Sequence, residues 1–495
     1  MKNVKRMGAF ALALAAIGAC GTVTGCKAGG GQEEGDEYTV QIYAWDSGYG
    51  VEWLQKIVDD FNNGQDKYTA KLSSNTSASV VIDTLDLRKS NNYDLYFTML
   101  NSSKYNSDFI DMTSLLNSSP TGETGKIRDK YYDGLIEGLK DANGKEKFLC
   151  YGYGNASIVY NCDLISEDEV PNTTKELEIL VAELDATCDP WLFFNDTGVN
   201  GYWNYLTEAW AAQYNGLDYH YNTFYKLKGA NGQSPSKDVL LKKDGRYEAL
   251  EVMEKIITPN TVHKECTNTL YTTVQSKFMK GEAAMMPNGS WLLNESSVGN
   301  ANVSMMKVPV ISSIVETLED SAMSDSTLSA IIEAVDAGAA SSELCSANDF
   351  ARIKEARNIM YNNATESYIF APNYSNALDA VNAFLQWYHK DSSILLYNQT
   401  TKLPAACKLN DESLFDLSKQ SAWTQTMFDF ANTVTPLAPR MDRADVFLQQ
   451  GNNFIVNVKT AGDMSTASSK DRKNAAQIWQ TLENRVNEYW KDWAK

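Results

Sequence analysis

Between Gly201 and Tyr225 the chain places nine aromatic residues in 25 positions: Tyr202, Trp203, Tyr205, Trp210, Tyr214, Tyr219, Tyr221, Phe224 and Tyr225. Aromatics are 11% of the whole chain, so this is a local concentration. Trp203, Leu206 and Trp210 recur at helical spacing and read as a core stripe. The tyrosines bring more hydroxyls than a core needs and suit a surface that holds polar rings. A ligand role is therefore expected for Tyr202 or Trp203. The second candidate is Trp291. Gln275–Trp291 reads as a helix end capped by Gly281, an apolar run Ala283–Met286, a turn at Pro287-Asn288-Gly289 and an N-cap at Ser290. Trp291 then stands at the end of a strand, on the first turn of a helix, where open α/β sheets bind ligands. A plain core aromatic is the competing reading.

Catalytic patterns are missing. His220, His263 and His389 are the three histidines, with no H-E-x-x-H and no zinc spacing among them. There is no G-x-S-x-G elbow and no phosphate loop. With 63 acidic residues, a carboxylate pair carries no information by itself. Binding without turnover, and without a cofactor or metal, is the expected chemistry. Lys+Arg 44 against Asp+Glu 63 gives a net charge of −19, which argues against nucleic acid as a partner.

The elements that must position these residues follow from periodicity. Tyr38–Trp45 alternates as a strand, and Leu54, Ile57, Val58 and Phe61 form a helical stripe after it. Tyr68–Leu72 and Leu95–Thr98 are further strands, separated by a helix carrying Val80, Val81, Leu85 and Leu87. Strand–helix alternation of this kind implies parallel sheet with helices on its faces, an α/β protein. Phe148–Tyr153 and Ala156–Tyr160 are two strand-like runs around Gly154-Asn155 and read as a hairpin. Leu328–Ala337, Phe350–Met360 and Ala377–Tyr388 read as helices, and Ala475–Trp493 as a long closing helix whose apolar face must dock.

Helix, Gly-Glu-Ala-Ala-Met, short turn and Trp resemble the family 1 extracellular solute-binding proteins, the sugar-capturing subunits of ABC importers. Val40–Trp45 with loop Asp46–Gly50, Tyr151–Asn161 and Leu403-Pro404-Ala405 fit the same pattern in the same order. The resemblance implies a two-lobed periplasmic-binding-protein fold of the class II type, each lobe a mixed sheet flanked by helices, with the ligand in the cleft between them. It implies lobe 1 as 38–153 plus 310–400 and lobe 2 as 154–309 plus 401–495, with crossings near Tyr153–Ala156, Val308–Ile311 and Asn398–Pro404. The binding residues it implies are Asp46, Ser47 and Tyr49 in the first loop, Asn101 after Leu95–Thr98, and Asn155 at the first crossing. Asp196, Tyr202, Trp203 and Trp291 follow. Arg440, from Pro439-Arg440-Met441-Asp442-Arg443, can reach the cleft or form a surface ion pair. The expected partners are a carbohydrate ligand and ABC permease subunits, with the protein a monomer. A non-sugar solute (peptide or polyamine) and a cell-surface glycoside hydrolase are the alternatives.

Residues 1–25 read as a lipoprotein signal peptide. Lys2, Lys5 and Arg6 form a basic start, and Gly8–Ala19 an apolar run too short to span a bilayer. Val23-Thr24-Gly25-Cys26 resembles a lipobox, so Cys26 is the expected lipidation site, anchoring the protein to the outer face of the cell membrane. Residues 26–37 read as a flexible tether. Of the six later cysteines, buried free thiols are the simplest reading, and Cys150 with Cys162 is the one pair placed to bond.

Overall fold

The computed structural model describes residues 37–77, 79–100, 103–141, 143–194, 202–267, 270–296, 301–363, 367–444, 447 and 458–493. Cys26, Asn101 and Asp196 lie outside these residues. Two five-stranded mixed sheets organise the chain.

The first sheet has the order β2-β1-β3-β9-β4, from Thr69–Asn75, Thr39–Trp45, Leu95–Thr98, Tyr368–Phe370 and Leu149–Cys150. β1 pairs in parallel with both neighbours, so Ile42 lies between Leu72 and Leu95. β3 is buried at every position, as a central strand covered on both faces must be. The helix Glu52–Gly64 buries Trp53, Leu54, Ile57, Val58 and Phe61 on one stripe, leaving charged residues to solvent.

The second sheet has the order β10-β8-β5-β6, from Thr435–Leu437, Ile359–Asn362, Asn155–Asn161 and Met285–Gly289. β7, Val303–Met306, also pairs with β5. The closing helix Ala475–Trp493 docks on the helices Lys237–Leu241 and Arg246–Ile256, burying Ile478, Trp479, Leu482, Val486 and Trp493.

Three elements differ from the sequence reading. Pro287-Asn288-Gly289 is strand, not turn. Asn161 donates to Ala284 and Ser290 to Asn155. That register turns the nitrogen of Pro287, opposite Ile158, away from β5, beyond the pairing of Met285 with Pro190 and Leu192 on the other side of the strand. Phe350–Met360 is not one helix: Ala347–Asn358 ends and β8 follows at once. β8 lies in the second sheet, so the chain does not change sheets near Val308–Ile311. Val310 pairs with Thr173, and the segment up to Asn362 stays with the second lobe. The change falls between β8 and β9. Finally, Phe148–Tyr153 and Ala156–Tyr160 are not a hairpin, because β4 and β5 belong to different sheets.

Candidate functional site

The sheets meet end to end. From the first lobe come the ends of β1 and β3, the start of β9 and the end of β4. From the second come the start of β5 and the ends of β6, β8 and β10. The seam residues are therefore those just past each strand. Asn155 opens β5 and Asn362 closes β8, and the amide of Asn362 donates to Asn155 Oδ1 at 3.4 Å. The Ser290 backbone donates to the Asn155 carbonyl at 2.9 Å, and that of Asn363 to Gly154 at 2.9 Å.

Side chains from the two lobes touch across this seam. The Tyr49 hydroxyl donates to Asn363 Oδ1 at 3.3 Å. Gly154 lies beneath that bond: a Cβ there would stand 2.0 Å from the Tyr49 hydroxyl and 2.3 Å from Asn363 Oδ1. A Cβ on Gly48 would meet Trp291 Cβ at 2.9 Å and Glu295 Oε1 at 2.8 Å. Asn294 donates to the Thr401 carbonyl at 3.2 Å, and the Met441 backbone to Gly138 at 3.2 Å.

At one end of the seam stands a column of rings. Tyr202 and Tyr205 stack with centroids 5.1 Å apart, and Tyr205 and Tyr361 stack at 4.4 Å. Trp291 stands edge-on to Tyr202 at 5.7 Å and to Tyr205 at 6.3 Å. Its indole folds over Gly289, where a Cβ would lie 2.1 Å from the ring. The helix Trp203–Asn215 sets Tyr205 one turn after Tyr202, and β8 delivers Tyr361. Tyr202 precedes that helix in the left-handed region, φ 62.

At or just past the strand ends are buried side-chain atoms without a hydrogen-bond partner. Thr98 Oγ1 and the Tyr368 hydroxyl come from the first lobe, Ser290 Oγ and Arg443 Nε from the second. Burial lifts the Tyr368 hydroxyl far above the usual tyrosine range, and the Arg443 charge draws it back. The same guanidinium acts on Tyr225 of the second lobe, whose hydroxyl donates to the fully buried Glu208. Arg443 is buried, 8% exposed. Such atoms occur elsewhere too, Trp191 Nε1 and Trp423 Nε1 among them; those at the strand ends can donate to or accept from a ligand.

The residues expected from sequence fall as follows. Tyr49, Asn155, Tyr202 and Trp291 all stand at the seam. Asp46 and Ser47 are half-buried in the loop after β1, where the Asp46 backbone donates to Asn75 and Ser47 accepts from Gly50. Trp203 is not at the seam: it is fully buried, edge-on to Trp191 at 5.0 Å and Phe193 at 5.6 Å. Arg440 lies 3.5 Å over the Tyr221 ring, and Asp442 pairs with Lys226 instead. Ser290 does not cap the helix after it, Leu292–Glu295. Sequence reasoning missed Tyr205, Tyr361, Tyr368 and Arg443. For Tyr205 a signal existed, since it follows Tyr202 by one helical turn.

The family model of the bacterial extracellular solute-binding proteins matches residues 56–353, more than half of the 495. The chain belongs to this family. Solved solute-binding proteins share the two-lobed fold at low identity. The unliganded RafE of Streptococcus pneumoniae is 17% identical, covering 88% of this chain and 98% of its own, with a TM-score of 0.55. The GacH receptor of Streptomyces glaucescens is 12% identical, with coverage of 92% and 98% and a TM-score of 0.56. A secreted solute-binding lipoprotein from Streptomyces coelicolor is 13% identical, with coverage of 91% and 98% and a TM-score of 0.59. No curated protein matches the chain.

Proposed function

We propose that this solute-binding protein captures a sugar or oligosaccharide between its lobes and hands it to the permease of an ABC importer. The observation that carries the reading is the ring column Tyr202–Tyr205–Tyr361 with Trp291 edge-on, next to unsatisfied donors and acceptors from both lobes. Aromatic faces suit the C–H side of a pyranose, while Arg443, Tyr368, Thr98 and Ser290 suit its hydroxyls. RafE has been solved with raffinose and GacH with acarbose, which fits the same ligand class. Asp46, Ser47, Asn155 and Arg440 complete the candidate set at the rim.

Capture works by hinge closure, in which ligand contacts from both lobes favour the closed arrangement. The hinge segments in this reading are Tyr151–Gly154, the residues Asn362 and Asn363 that end β8, and the run from Leu403 towards Ser421. The second lobe therefore takes in the segment up to Asn362. Cys26 tethers the protein to the outer face of the membrane through a lipid.

A thermal-shift screen of soluble oligosaccharides tests the ligand class, because a ligand that binds only the folded protein raises its melting temperature. A concentration-dependent rise with at least one sugar is expected. A rise only with peptides or polyamines would overturn the sugar reading. Cys26→Ala should release the protein from membranes, and an unmodified Cys26 by intact mass would contradict the tether.

A further inference from the structure

The ring column does not end at Tyr202. Phe194 stands edge-on to Tyr202 with centroids 5.0 Å apart, and Tyr271 is tilted against Phe194 at 6.1 Å. Rings therefore follow one another without a break from Tyr361 through Tyr205, Tyr202 and Phe194 to Tyr271. Along that line burial ends abruptly. The first four are buried, whereas Tyr271 is 39% exposed and Leu270 before it 62% exposed. Single apolar residues on a surface are ordinary. Leu270 and Tyr271 differ from these because they carry a line of buried rings out to solvent.

The same two residues stand where the lobes meet. Tyr271 opens the helix Tyr271–Phe278, and Gln275 follows it by one turn on the same face. The Gln275 amide donates to Glu295 Oε2 at 2.9 Å, so this face is turned towards the helix Leu292–Glu295. Glu295 Oε1 would lie 2.8 Å from a Cβ on Gly48, and Asn294 donates to the Thr401 carbonyl, both in the first lobe. Burial and then the Glu295 charge raise the pKa of the Tyr271 hydroxyl, as nearness of the two groups requires. Tyr271 thus marks the outer edge of the seam.

We propose that Leu270 and Tyr271 form an outer subsite for a sugar unit beyond those held at the seam, which makes the ligand an oligosaccharide rather than a monosaccharide. The proposal rests on the sugar reading of the seam and adds ligand length to it. The exposed part of the Tyr271 ring and the Leu270 side chain cover the C–H side of a pyranose. The Tyr271 hydroxyl and the Glu295 carboxyl offer hydrogen bonds to its hydroxyls. A ring still open to water gains less from contact than one enclosed on all sides, so the effect is modest. It is also confined to ligands long enough to reach the rim.

The test is calorimetric titration of the full-length protein and Tyr271→Ala. The probes are malto-, xylo- and chito-oligosaccharides of one to five units, with raffinose and stachyose. Parent affinity should step up at one chain length. Tyr271→Ala should lose roughly tenfold in affinity from that length onwards, keep parental affinity for shorter sugars and melt at nearly the parental temperature. Leu270→Ala, at the more exposed position, should show a smaller loss at the same lengths, and it carries the comparison if Tyr271→Ala melts early. Parental affinity of both variants at every length would overturn the outer subsite and leave the sugar reading standing. So would a parent that binds a monosaccharide as tightly as its oligomers. A uniform loss at all lengths would also overturn it, because Tyr271 would then act only by supporting the column through Phe194. Failure of the parent to bind any of these sugars would overturn both readings.

Discussion

Two aromatic clusters, one in each lobe, are almost equally buried and yet built for different work. In the first lobe Trp53 is enclosed by Tyr397 at 4.8 Å, Tyr151 at 5.2 Å and Phe97 at 5.9 Å, all tilted or edge-on. Its indole N–H donates to the Gly50 carbonyl at 2.9 Å, while the hydroxyl of the neighbouring Tyr397 is buried without a partner. At the seam, Tyr202, Tyr205 and Tyr361 form a stacked column with Trp291 beside it. Glycines at 48 and 289 make room for Trp291, and unsatisfied polar groups stand close by. Exposure does not separate the two clusters, at 2% for Trp53 and 4% for Trp291. What separates them is ring geometry, stacked at the seam but tilted or edge-on around Trp53, and the packing of first-lobe Gly48 against Trp291.

That contrast breaks most visibly if Trp53→Ala is tolerated. Emptying a packed site of this kind should cost ~3–5 kcal/mol of stability, read by denaturant unfolding, with ligand affinity of the folded fraction unchanged. Next in size is Arg443→Met, which removes a buried charged donor at the seam. Losing a charged hydrogen bond to ligand should cost ~1.5–3 kcal/mol of binding, roughly ten- to a hundredfold in affinity by calorimetry. If Arg443→Met binds as well as the parent, the unsatisfied groups do not serve the ligand.

The smallest effect concerns Glu295, which faces Gly48 across the seam and accepts from the Gln275 amide at 2.9 Å. Burial raises its pKa, and the Gln275 bond opposes this. Its charge also raises the Tyr271 hydroxyl, after burial has done so. The folded state therefore holds the Glu295 proton more tightly than the unfolded chain does. The stabilisation is present at low pH and is lost as pH rises through the raised folded pKa. Glu295→Gln should flatten that slope and shift stability at neutral pH by less than ~1 kcal/mol. An unchanged pH profile of melting would show that the seam does not bury this carboxyl.

Much of this was legible in the sequence where periodicity alone decides structure. β1, β3, the helix Glu52–Gly64 and the closing helix follow from apolar spacing, and Trp291 from its place after a strand. Legibility failed where a neighbour outside the local window decides. Pro287 reads as a turn until its nitrogen is known to face away from β5, beyond the pairing of Met285 with Pro190 and Leu192. Ile359–Tyr361 reads as more helix because no turn residue marks the change after Asn358, and that hid Tyr361 and moved the second crossing. Trp203 and Tyr205 sit on one helix and differ only in which side meets Trp191.

The claim that the seam cluster holds a sugar is tested most directly by titrating one oligosaccharide into the parent and Trp291→Ala. The sugar is whichever gives the largest thermal shift, and the melting temperature of both proteins is recorded alongside. If Trp291 contacts the ring, affinity should fall by ~1–3 kcal/mol while stability falls much less than it does for Trp53→Ala. A Trp291→Ala protein that melts early, like Trp53→Ala, but binds the sugar with parental affinity would contradict the account and make Trp291 a core residue.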